Sequence, residues 1–197
     1  MRKKSQFRRL LGRGVRYVAL VMLGYLIHVC VMPYFKIGGV TPHLMIAVLS
    51  VITVAHGRLR AYWTGCIYGI ITETMRPTLP FFNLFMYPVL SLVSGLLFAD
   101  KSEKRLEAER SMNQAARNVH PYIRTPLCSA VLMLLHEIVN VGYIYIGGTD
   151  LTGGHINRAL TGVIVAVGLT LIIMIPARRL LGLSKPKSKR DLPEHFY

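Results

Sequence analysis

The sequence predicts an all-α, polytopic integral membrane protein, with six transmembrane helices packed as one compact bundle. Three observations carry that prediction. The chain is 52% hydrophobic yet has a formal net charge of +15. Soluble domains of this length rarely combine the two, whereas apolar membrane segments joined by basic links do. Six apolar stretches each come close to the ~20 residues needed to cross ~30 Å of hydrocarbon. The basic residues also alternate. Only Lys36, Arg76 and Arg158 fall in the odd-numbered links, while the other 21 of the 24 lysines and arginines lie at the two ends and in the even-numbered links. By the positive-inside rule both termini are expected in the cytoplasm.

The first span, Val15–Met32, follows the basic stretch MRKKSQFRRLLGRGVR. No A-x-A-like cleavage site follows it, so it reads as a retained signal anchor. Residues 1–14 then form a basic cytoplasmic segment. Beside a span, such a segment meets anionic lipid headgroups, at ~1 kcal/mol per Lys or Arg near the surface. That reading is preferred to nucleic-acid binding, and no nucleic-acid partner is expected. The second span, Ile37–Ala55, begins at a glycine turn. The third, Ala61–Met75, is the shortest, and Tyr62 and Trp63 mark its start at an interface.

Within the third span, TGCIYGIITE places Gly65, Gly69 and Glu73 four apart, on one helix face. Small residues there admit another helix backbone, and a partner helix is the expected occupant. An acid in an apolar span costs roughly 2.5–3.5 kcal/mol near mid-membrane and less towards an end. Glu73 is therefore read either as an interfacial ion pair with Arg76 or as part of a binding site. In the fourth span, Phe81–Phe98, Pro88 removes an amide donor and predicts a kink. Ser91, Ser94 and Gly95 follow as a small-residue surface.

The next link carries Arg105 and Glu109 four apart, which favours a short solvated helix. Pro121 and Pro126 mark its exit and the start of the fifth span, Thr125–Ile146. The sixth span is Ala159–Pro176. Residues 15–178 thus form the six-helix domain, and the basic, proline-broken tail 179–197 is expected to be disordered. Cys30, Cys66 and Cys128 sit in apolar stretches without metal-ligand spacing and read as free thiols.

The fifth span contains LHEIVN. A zincin needs H-E-x-x-H, with two histidines at i and i+4 on one helix face. Asn140 stands where the second histidine belongs, so a zinc hydrolase is not expected, nor any other enzyme or cofactor. What remains is a polar stripe: Ser129, Met133, His136, Asn140 and Tyr143 recur at helical spacing, with Glu137 at its border. Such a stripe faces a bundle interior or a cavity. It reads either as hydrogen-bonded glue between helices or as the lining of a solute path.

The stretch from Pro42 to Leu97 resembles the MreD family of rod-shape-determining membrane proteins. In that family a P-D-L start to the second span is followed by a glycine-spaced helix that ends in an acid. Here the matching residues are Pro42, His43 and Leu44, then Gly57, Gly65, Gly69 and Glu73. His43 replaces the usual acid, and Glu73 stands where aspartate is common. The resemblance implies a non-enzymatic scaffold of the bacterial cell-wall elongation machinery in the inner membrane. Its partners would be an MreC-like single-span protein and, through it, MreB, RodA and a transpeptidase. The family fold resembles the substrate-binding component of energy-coupling-factor transporters, which gives the alternative function, a small-molecule (vitamin) transport component. Such components carry A-x-x-x-A in span one. Here Ala19 is followed by Leu23, which argues against that alternative.

Overall fold

The computed structural model describes residues 2–75, 81–99, 111–112, 120–148, 150 and 152–182 of the chain. Six α-helices run through them: α1 (Arg2–Cys30), α2 (Leu44–His56), α3 (Arg58–Met75), α4 (Phe82–Phe98), α5 (Pro121–Ile146) and α6 (Gly153–Leu180). A 3₁₀ turn, Met32–Tyr34, follows α1. The described residues contain no strand, and Ile37 pairs with Val40 in an isolated bridge. The fold is all-helical. The expected solvated helix around Arg105 and Glu109 lies outside the described residues, as does the tail from residue 183.

Among the described residues three stretches are long and apolar enough to cross a membrane: Gly14–Tyr34, Pro121–Ile146 and Gly153–Leu180, with mean hydropathies of 1.9, 1.7 and 2.4. The other three helices depart from the expectation that all six approach the ~20 residues of a membrane span. α2 has 13 residues and α4 has 17. α3 has 18, with Arg58, Arg60 and Glu73 among them. At ~1.5 Å per residue, α2 is only about 20 Å long.

The shortness of α2 goes with its place. Every residue from Leu44 to Val54 is buried. α2 packs against α1, α3, α4, α5 and α6, and is the axis of the molecule. Its sequence, LMIAVLSVITVAH, is apolar on every side, the pattern of a helix enclosed on all faces. Its two internal hydroxyls are satisfied within the helix: Ser50 donates to the Ala47 carbonyl at 2.7 Å and Thr53 to the Leu49 carbonyl at 2.8 Å. The surrounding helices turn apolar side chains outward, among them Val18, Met22 and Leu26 on α1 and Ile164, Leu171 and Ile175 on α6. A soluble monomer rarely exposes so continuous an apolar surface, whereas lipid tails cover it at no cost.

The links explain where sequence boundaries and helices part. The second helix begins at Leu44, not Ile37. Gly38 and Gly39 take φ of 58° and 78°, a left-handed turn that glycine adopts without penalty. Pro42 then disfavours helix in the residue before it. Gly57, at φ 80°, is the entire link between α2 and α3. α5 starts at Pro121 and continues through Pro126, so the expected start near Thr125 moves back one turn. Pro121 occupies the first turn, where no amide partner is needed. α4 likewise continues through Pro88.

Candidate functional site

The residues singled out from sequence fall into three groups by depth. The first is the α3–α4 contact. A Cβ on Gly65 would lie 2.6 Å from the Tyr87 carbonyl oxygen, and one on Gly69 would lie 2.8 Å from that of Asn83. Real Cβ atoms do not approach that closely, so both positions require glycine. The helix admitted here is the chain's own α4. That corrects the expectation of a partner helix on this face: Tyr87, Ser91, Asn83 and Leu84 already fill it.

Glu73 completes the same contact. Its carboxylate accepts hydrogen bonds from the backbone N–H of Phe81 at 2.7 Å and of Asn83 at 3.1 Å. These amides open α4 and have no partner within that helix. Glu73 therefore caps α4 from α3, with its negative charge at the positive end of the helix dipole. Arg76, its expected ion-pair partner, lies outside the described residues.

The second group is the deep half of the α5 stripe. Thr170 of α6 donates to Ser129 Oγ at 2.7 Å, and Ser129 donates to the Ala166 carbonyl at 3.4 Å. All three residues are buried. Here the stripe is glue between α5 and α6.

The third group is the other half of the stripe, and it borders a cleft of about 760 Å³. The cleft lies where α1 and α5 finish and α2, α4 and α6 begin. Glu137, Asn140 and Tyr143 come from α5. His28 comes from the end of α1, Thr41 and His43 from the lead-in to α2, Phe82 from α4, and His155 and Arg158 from the first turns of α6. His136 is buried just behind. Asn140 Nδ2 donates to His136 Nδ1 at 3.1 Å, and Glu137 Oε1 lies 3.9 Å from the same nitrogen. Gly162 gives this corner room, since a Cβ there would sit 3.1 Å from Met133 Cε and 3.6 Å from Glu137 Oε1.

Three imidazoles tie the end of the bundle together. The His43 ring lies 5.3 Å from that of His28 and 5.1 Å from that of His136, and Tyr87 stands 6.3 Å beyond His136. Among the described residues no group of three or more His, Cys, Asp or Glu side chains is placed to hold a metal ion. The cleft's size is in the range of small-molecule sites, roughly 300–1,000 Å³, and its lining mixes polar and ionisable side chains with apolar ones.

No protein-family model, characterised protein or solved structure matches this chain.

Of the residues chosen from sequence, Glu137 and Asn140 line the cleft and His136 backs it, Ser129 lies deeper, and Gly65, Gly69 and Glu73 build the α3–α4 contact. His28, Thr41, His155 and Arg158 were missed as site residues, and His43 was noted only for departing from a family pattern. The basic-residue alternation carried a usable signal. By the positive-inside rule it predicts the end of α1, the start of α2, the end of α5 and the start of α6 on one side, and hence His28, His43 and His155 on that side.

Proposed function

We propose that this chain is a non-enzymatic scaffold of the bacterial cell-wall elongation machinery, of the kind the MreD family provides. It would sit in the inner membrane as a six-span bundle with both termini in the cytoplasm and hold an MreC-like single-span protein. MreB, RodA and a transpeptidase would be reached through that partner. The observation that supports this reading is what the family-like residues do here. Pro42 and His43 lead into the buried α2, and Gly57 turns the chain in one residue. Gly65 and Gly69 admit α4, and Glu73 caps it. Gly65, Gly69 and Glu73 hold α3 and α4 in close contact beside α2, which suits a platform for other proteins. The basic ends, with Arg178 and Arg179 in the last turn of α6, suit anionic headgroups.

The test is co-purification after crosslinking in a rod-shaped host. An MreC-like protein should be recovered with the chain, and depletion should give rounded, wall-defective cells. Recovery without any such protein sinks the scaffold reading. The cleft favours a second reading, the substrate-binding component of a small-molecule transporter. Depletion that leaves shape normal and abolishes vitamin uptake would select it.

A further inference from the structure

We propose that the cleft binds a short peptide with free termini, its ammonium group held by Glu137 and its carboxylate by Arg158. The inference rests on the cleft being a ligand site, as the transport reading also requires, and on neither transport nor a scaffold partner. The charges are the first argument. Among the described lining residues Glu137 is the one carboxylate and Arg158 the one guanidinium. They come from different helices, α5 and α6, and no ion pair joins them. The nearest basic nitrogen to Glu137 is His136 Nδ1, at 3.9 Å. Opposite charges that line one cleft with no ion pair between them match a ligand that carries both signs.

Size and lining narrow the class. About 760 Å³ is more room than a single amino acid fills and is ordinary for a drug-sized ligand. An amino acid also carries both charges on one carbon, whereas a peptide separates them. Asn140 and Thr41 also line the cleft and supply donors and acceptors of the kind that peptide groups need. His43 also lines the cleft, and its Nδ1 is buried with no hydrogen-bond partner among the described residues. The rings of Phe82 and Tyr143, 6.1 Å apart, form an apolar wall for a side chain. Glu137 is only 19% exposed, so its charge is partly shielded from water and acts more strongly on a bound cation.

The experiment uses the purified full chain in detergent. Calorimetric titration compares Ala-Phe-Ala and trialanine with their N-acetylated and C-amidated forms. The free peptides should bind, and each blocked form should bind about tenfold more weakly, the equivalent of about 1.4 kcal/mol. In Glu137→Gln the acetylated and free peptides should bind alike; in Arg158→Gln the amidated and free peptides should bind alike. Arg158 is exposed. If Glu137→Gln does not fold, the Arg158→Gln comparison decides alone. Three results overturn the proposal: a folded chain that binds none of the free peptides, blocked and free peptides that bind equally well to the unaltered chain, or variants that discriminate as before. Peptide binding is read on the purified chain and partner recovery by crosslinking in the host, so the two proposals fail separately.

Discussion

Glu73 reaches from one helix to cap the next, and removing it should expose two amides that nothing else in α4 accepts. Glu73→Ala should lower the melting temperature in detergent, by the equivalent of about 1 kcal/mol. Glu73→Gln keeps a carbonyl acceptor and should cost less, and an unchanged melt for the alanine variant would show that the cap contributes nothing. His56, at the end of α2, supplies a pH test. Burial and then Arg60 hold its imidazole below the ordinary 6.5. The unfolded chain therefore takes up the proton first, so this contribution is complete above pH 6.5 and is lost as pH falls from there through the lowered value. The melting temperature should drop on mild acidification, and His56→Asn should make that drop smaller. Residue choices were readable from sequence where spacing sets a helix face, as at Gly65, Gly69 and Glu73. What lies on the face was not readable, because a period of 3.6 describes one helix and not its neighbour. A lone histidine such as His28 or His43 has no periodic signal at all, and only the meeting of three helix ends gives it company.

At the scale of elements, Gly65→Leu and Gly69→Leu should each destabilise the monomer through a clash with α4. Overpacking costs about 1–3 kcal/mol or more where backbone stands in the way. The measurement is the share of folded, monodisperse chain in detergent, with Gly142→Leu as a control, since a Cβ there meets nothing within 4 Å. If the two buried glycine variants melt like the control, the close α3–α4 approach is wrong. Thr170→Val removes a buried donor between α5 and α6 and should cost roughly 0.6–2 kcal/mol. The existence and order of all six helices were legible, because apolar runs separated by glycine, proline and charge have few other readings. Their ends were not. Pro126 looks like a boundary in sequence, yet α5 runs through it. Hydropathy also read the enclosed α2 and the outward-facing helices alike, because a side chain in a protein core and one in lipid are equally apolar.

For the whole molecule, the basic asymmetry predicts which ends face outward. Single cysteines at Gly39 and Gly153 in a cysteine-free background should react with an impermeant reagent applied to intact cells. Cysteines at Arg58 and Ser111 should react only after lysis, and the reverse pattern would overturn the orientation. The enclosure of α2 also bears on how the chain comes to be assembled. The ribosome delivers α2 second, but three of the helices that touch it on the finished molecule, α4, α5 and α6, are made only after α3. In the proposed six-span arrangement, its thirteen residues would in the interval have α1, α3 and lipid for neighbours, too short a helix to reach both headgroup layers without thinning the bilayer. The mismatch is relieved only as the later helices arrive. α2 is in effect a passenger that waits for its compartment to be built, and the vulnerable period of this protein's life is the time between the synthesis of α2 and the docking of α6.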